Sequence, residues 1–366
     1  IIEMAGTSLA MTGAGEPMTQ VLIRHEDLKQ FLTDIFAAKG MSAADAAAVA
    51  DVLAWANVRG VDGHGAVRLA GYLEFIDRGD LDPRAEPRIR MLGPTAFTLD
   101  GARAAGPVAM MKAAAHAVET ARQYGVCIAL VHDTTHTGAI GRYPQWVAEQ
   151  GCACVMMNGG PPFMAYHGTR TANLGTSPIS IAVPGPEAAP LLLDMATSVV
   201  SNGRLRQAIA AGETLPEGWA LDTEGKVTTD PKKAAVILPL GGPKGSGLSL
   251  MFECLTGILA ASPLLIMYAD PAGRKRHKQS AIMIVLDVEM FRPLAEFRRD
   301  VGELVAMIRK LPLQQGFDEA LMPGERGERR AAARRIEGIP LPPALWKELT
   351  DIARGLSVTA PAPLAS

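Results

Sequence analysis

GGPKGSG occupies residues 241–247, between the apolar run LPL (238–240) and the apolar stretch LSLMFECLTGILAA (248–261). Glycines and one lysine at the start of a predicted helix can present backbone N–H groups and an ammonium to a phosphate. A plain loop entering a helix uses the same residue types, so both readings stand on composition alone. What the segment is not bears on the fold. It is neither G-x-G-x-x-G after a strand nor G-x-x-x-x-G-K-[ST], and neither pattern occurs elsewhere in the chain. A Rossmann or P-loop nucleotide site is therefore not supported.

Around this segment the texture is that of a globular protein. The 366 residues are 48% apolar and 20% charged, with a formal charge of −2. This length accommodates two domains or one large one. The near-neutral charge gives no reason to expect nucleic acid or a membrane surface as partner. Four scattered cysteines (127, 152, 154, 254) form no C-x-x-C pair and no disulfide framework, which points to a reducing cytoplasm. No basic residue precedes Arg24, so a signal peptide is not expected, and residues 1–19 read as an extension outside the fold. LMFECLTGILAASPLLIMY (250–268) carries Glu253 and Pro263 and is expected to be a buried helix, not a membrane span.

Helical periodicity fills residues 25–39, 43–58, 67–79 and 107–122, with Ser42 and Asp45 resembling a capping box. From about residue 125 short β-rich runs appear: 126–132, 153–158, 179–184, 190–196, 234–240 and 280–288. Helix returns after 294, and SVTAPAPLAS at the end reads as flexible. In 326–335 five of ten residues are arginine, which a solvated helix face explains as readily as a phosphate contact. HDTTH (132–136) has ligand spacing only if helical. It follows a predicted strand, so no metal is expected.

RGVDGHGAVR (59–68) is the strongest local candidate for chemistry. His64 lies between two glycines, and Arg68 follows four residues on. Imidazole is suited to proton transfer near neutral pH, and guanidinium to gripping a carboxylate. Flanking glycines let a substrate or cofactor approach the backbone closely. A histidine at a helix junction can also be merely structural.

Taken together, RGVDGHGAVR, HTGAIGRY (136–143), LGTSP (174–178), LDMATSVVSNGR (193–204), GWALDTEGKVTTDP (218–231), LPLGGPKGSGLSL (238–250) and MPGER (322–326) resemble, in order, the motifs of the malate/L-lactate dehydrogenase-like family of NAD(P)-dependent oxidoreductases. The resemblance covers about residues 20–350. It implies a mixed α/β, non-Rossmann fold. A cofactor domain at 123–289 is built on a mixed, largely antiparallel sheet. A helical domain is assembled from 20–122 with 290–350, and residues 351–366 form a flexible tail. It implies a homodimer using NAD or NADP, acting on a small 2-oxo or 2-hydroxy acid. Two alternatives are a reductase of cyclic imino acids and a catalytically impaired homologue that only binds cofactor.

Carried over residue by residue, the resemblance makes His64 the proton donor and Arg68 the carboxylate clamp. His136 is the rival catalytic histidine and lies beside the nicotinamide with Thr137 and Gly138. Thr176, Asn202, Gly203 and Arg204 are expected to line the substrate. Asp194, Met195, Ala196, Thr197, Ser198, Lys244, Gly245, Gly324, Glu325 and Arg326 are expected to hold the cofactor. Gly63 stands where many members have serine, and Ser177 where they have asparagine. Arg204 stands where imine reductases of the family have an acidic residue, and the expectation is a preference for substrates with a second anionic group.

Overall fold

The computed structural model describes residues 20–186, 189–269 and 277–364. The two apolar-periodic segments near the start form helices His25–Ala38 and Ala43–Val58. The Ser42 side chain accepts from the Asp45 N–H at 3.1 Å, so the predicted cap is present. Helix Ala43–Val58 is buried along most of its length, because alanine lets neighbours approach it from several sides. Its core partners come from both ends of the chain. Phe31, Leu32 and Phe36 meet Ile339, Leu341, Leu349 and Ala353 in one cluster. A short antiparallel pair, Val21–Ile23 with Ile339–Leu341, ties the ends together.

The expectation of a flexible tail needs correction over its described residues. Helix Pro343–Gly355 ends at the start of that stretch. Leu356, Val358 and Ala360 then pack against the same core. The Leu364 N–H donates to the Leu22 carbonyl at 2.8 Å. Proline and alanine suggested disorder, but these side chains find an apolar groove to fill.

The second core surrounds a seven-stranded sheet. Its order is Arg88–Gly93, Ala96–Asp100, Val126–Thr134, Gln279–Asp287, Cys152–Gly159, Ile179–Val183, Leu191–Met195. Ala96–Asp100 and Val126–Thr134 run parallel, and every other neighbouring pair is antiparallel. Helix Gly106–Tyr124 packs on this sheet through Ala109, Ala113, Ala117 and Ala121, a stripe at four-residue spacing with fully buried side chains. A five-stranded sheet of short strands forms a smaller satellite.

The stretch 250–268 also differs from expectation. It forms helix Pro243–Glu253, a wide turn at Cys254–Ile258, and helix Leu264–Ala269. It is not buried within the chain: Met251, Ile258, Leu259 and Ile266 are all more than half exposed. The stretch has apolar residues on several faces, and the sheet covers only one of them. Among the described residues no helix is long and apolar enough to cross a membrane.

Candidate active site

The site lies where the sheet's strand ends meet the helical layer. Three strand ends converge: residues just after Val126–Thr134, the start of Gln279–Asp287, and the end of Leu191–Met195. Facing them, two single-turn helices at Asp62–His64 and Ala66–Arg68 carry the predicted imidazole and guanidinium. Between these walls is a cavity of about 670 Å³, within the roughly 300–1,000 Å³ range of small-molecule sites.

His64, Arg68, His136 and His277 all line this cavity. The His64 and His136 rings are parallel, 9° apart in tilt, with centroids at 5.8 Å. Arg68 donates from Nε to the Gly63 carbonyl at 2.7 Å, which turns its guanidinium back over the His64 loop. His136 is held from behind. The Tyr72 hydroxyl donates to the His136 carbonyl at 2.7 Å and lies 3.1 Å from its Nδ1. The hydroxyl has one proton, and the carbonyl takes it. The Gly138 N–H reaches the same Nδ1 at 3.3 Å and can only donate, so Nδ1 is engaged from two sides and Nε2 is the ring nitrogen without a partner among the described residues.

Electrostatics keep the imidazoles neutral. Burial, then the Arg68 charge, lowers the His64 pKa to about 4. Burial, Arg68 and the neighbouring histidines push His136 well below the ordinary range. Asp194, on the opposite wall, is raised to about 6 by burial, despite a hydrogen bond from the Gly141 N–H at 3.2 Å.

The His64 loop is pinned by a network that the sequence did not reveal. Asn57 Nδ2 donates to Asp62 at 2.9 Å, while its Oδ1 accepts from the Ala66 N–H at 2.7 Å. Arg334, from helix Glu325–Glu337, pairs with both Asp62 oxygens at 2.8 and 3.2 Å. The arginine-rich run is therefore divided in use. Arg334 holds the loop, and Arg329 pairs with Glu319 and Glu325. Arg326 and Arg330 line the cavity and make no ion pair among the described residues.

This architecture is shared. The malate/L-lactate dehydrogenase family matches residues 23–350. The chain belongs to that family. A malate dehydrogenase from Pyrococcus abyssi is 34% identical over 350 residues, covering 92% of this chain and 96% of that protein. The solved structure of the sulfolactate dehydrogenase from Methanocaldococcus jannaschii superposes with a TM-score of 0.85 at 31% identity, covering 93% of this chain and 98% of the other. A Delta(1)-pyrroline-2-carboxylate reductase from Burkholderia ambifaria is 28% identical over 348 residues, covering 92% of this chain and 99% of that protein.

As a member of the malate/L-lactate dehydrogenase family, the chain brings many of the expected site residues to one cavity: His64, Arg68, His136, Gly138, Thr176, Gly203, Asp194, Met195, Ala196, Gly324 and Arg326. Others sit behind its walls. Thr137 is held by Gln279 Oε1 through both its N–H and hydroxyl, at 2.7 and 2.8 Å. Thr197 donates to the Thr176 carbonyl, and Ser198 to that of Val200. Gly245 is buried with its N–H on the Leu240 carbonyl, and Lys244 is exposed outside the cavity lining.

Two expectations are corrected outright. Arg204 does not line the cavity. It pairs with Glu213 at 2.7 Å and lies over the Trp219 ring, because Ser201 starts a helix whose first turn directs it along the surface. Glu325 caps its own turn, accepting from the Met322 N–H at 2.9 Å and pairing with Arg309 and Arg329, so it is not available to a cofactor. The side chain of Asn202 lies outside the described residues. Sequence reasoning missed Tyr72, His277 and Gln279, and singled out Arg330 only as part of the arginine-rich run 326–335. Tyr72 had a signal, four residues beyond Arg68 on a helical run. His277 follows the basic run RKR and reads as solvated loop.

The glycines beside His64 now have separate explanations. A Cβ on Gly65 would lie 2.2 Å from Asn57 Oδ1, whereas one on Gly63 would meet nothing closer than the Gly203 backbone at 3.9 Å. Gly65 thus serves the Asn57 network and not ligand access. Gly65→Ala is expected to destabilise the protein by about 1–3 kcal/mol, the usual cost of overpacking, measured by urea unfolding. An unchanged midpoint would show that the Asn57 network yields without cost.

Proposed function

We propose that this protein is a nicotinamide-dependent oxidoreductase acting at C2 of a small 2-oxo or 2-hydroxy acid. The observation that carries this reading is the parallel pair of neutral imidazoles beside Arg68 in one cavity. The cofactor, NAD or NADP, supplies or accepts the hydride when bound. The cavity suits such a group: Arg326 and Arg330 are cations without an ion pair among the described residues and can meet its phosphates, and the Asp194 carboxylate can accept from its hydroxyl or amide donors.

Arg68 grips the substrate carboxylate, which orients the adjacent C2 oxygen toward the histidines. We assign the proton transfer to His136 over His64. A general base works best when other groups fix its direction, and Tyr72 and the Gly138 N–H, both at Nδ1, do this for His136. His64 forms the facing wall of the slot. In oxidation His136 Nε2 takes the hydroxyl proton, and in reduction it returns it.

The exposed apolar side chains at 248–266 support a homodimer in which a second copy covers them. A soluble enzyme of the cytoplasm fits the scattered free cysteines.

The test is a screen of oxaloacetate, sulfopyruvate, pyruvate, glyoxylate and pyrroline-2-carboxylate with NADH and NADPH, followed by nicotinamide absorbance. Reduction of at least one oxo acid is expected. Activity confined to the cyclic imine, or cofactor binding without turnover of any acid, would overturn the reading.

A further inference from the structure

Arg59 follows helix Ala43–Val58 directly, and its side chain is buried. It joins two distant parts of the fold. Nη2 donates to the Gly324 carbonyl at 2.9 Å, and Nη1 pairs with Glu328. The guanidinium also lies over the Trp55 ring, 5.1 Å from its centroid. Gly327 leaves the room that it occupies, since a Cβ there would come within 2.8 Å of Nη2. From the sheet edge, the Leu192 N–H donates to the Pro323 carbonyl at 3.1 Å. The turn that opens helix Glu325–Glu337 is thus fixed between a strand and one buried cation. Burying a guanidinium is costly, and its fork of partners and the aromatic face offset that cost. Glu328 matches its charge, so the charge itself is spent within the fold.

We propose that Arg59 is a positioning residue for the cofactor: it sets the affinity for the nicotinamide dinucleotide by fixing the turn that aims Arg326 and Arg330 at its phosphates. This rests on the nicotinamide reading above. Gly324 and Glu328 are four residues apart, so a grip on both fixes where the helix begins and how its first turn is rotated. That turn carries Arg326, and the next carries Arg330; both line the cavity. The stem of Arg330 runs along Gly60, the residue after Arg59, where a Cβ would come within 2.8 Å of Arg330 Cδ. Arg59 therefore acts through other side chains. Proton transfer and the carboxylate clamp belong to His136 and Arg68, and Arg59 has no part in either.

The probes are NADH and NADPH, with Kd measured by calorimetry on the full chain. Arg59→Lys keeps a cation beside Glu328 and loses the fork that also holds Gly324. It is expected to raise the Kd of the preferred cofactor about tenfold, the scale of a lost hydrogen bond from a charged group. At saturating cofactor, kcat and the KM of the oxo acid should stay within about twofold. Arg326→Gln supplies the second axis of a double-mutant cycle. On that background Arg59→Lys should weaken binding by no more than about threefold, because part of what it aims is already gone. A full tenfold loss on both backgrounds would mark a general structural role and overturn the inference. So would an unchanged Kd, or an acid KM that rises in step with it. If Arg59→Lys does not fold, Glu328→Gln at the half-exposed end of the pair replaces it. A Kd that rises, and rises less beside Arg326→Gln, is then expected, and no change would overturn the inference. A wild type that binds NAD(P)H but reduces no acid would overturn the proposed function, while the binding cycle still decides this inference. A wild type that binds neither nucleotide would overturn both.

Discussion

His136→Asn is expected to lower turnover by about a hundredfold or more, the scale of a lost general acid–base group, with NAD(P)H binding nearly unchanged. The asparagine amide can keep the Tyr72 contact, so the loss isolates the proton-transfer nitrogen. His64→Ala should cost less, because no hydrogen bond among the described residues aims its ring. If His64→Ala abolishes turnover and His136→Asn does not, the roles are reversed. Stopped-flow binding of NAD(P)H separates either outcome from misfolding.

The pH profile carries the same assignment. The folded pKa of His136 lies well below the ordinary value, through burial first and the Arg68 charge second. In the free enzyme the ring is therefore neutral from the alkaline side down through pH 6.5. For oxidation, which needs the neutral base, kcat/KM should show no histidine inflection between pH 8 and about 6 and should fall only further into acid. For reduction, which needs the protonated ring, kcat/KM should decline about tenfold per pH unit over the neutral range. A bell with an acid limb near 6.5 would mean that the proton passes through a solvated group instead. Once a carboxylate neutralises Arg68, one cause of the depression is removed. The inflection in kcat should then lie higher than that in kcat/KM.

Arg68→Met is expected to raise KM for any 2-oxo acid by about ten- to a hundredfold, corresponding to roughly 1.5–3 kcal/mol for a charge-assisted contact. Two effects are combined here. The guanidinium lost to the substrate carboxylate also loosens the Gly63 carbonyl that Arg68 Nε holds at 2.7 Å. The substitution removes a positive charge that depresses both His64 and His136, so the acid limb for oxidation should move up toward 6.5. KM measured with pyruvate, which has no distal group, reads the clamp alone. An unchanged pyruvate KM would place the carboxylate elsewhere, and an unmoved acid limb would show that burial alone sets the histidine pKa values.

The family, the mixed α/β class and much of the candidate site were legible in the sequence, for physical reasons. Glycine-flanked His64, Arg68 one turn on, and HTG at 136–138 are local constellations whose chemistry depends on residue type and spacing. The ends of helices His25–Ala38 and Ala43–Val58 were likewise written in a cap and in periodicity. The strands Val126–Thr134 and Cys152–Gly159 are dense enough in apolar residues to be read directly.

What tertiary structure decided were questions of partnership between distant residues. Arg204 and Glu325 carry charges that look available in sequence, yet each is consumed by a partner that only the folded chain supplies. Gly65 looked like an opening for ligand and is an accommodation of Asn57. The tail 356–364 has a composition compatible with disorder and becomes ordered because a groove elsewhere accepts it. The choice of His136 over His64 rests on Tyr72, 64 positions away, and on which nitrogen its hydroxyl leaves free. A sequence specifies local propensity and chemical type. Which charge is neutralised, which nitrogen accepts and which face is covered are set by contacts across the fold, and those exist only once the chain has closed on itself.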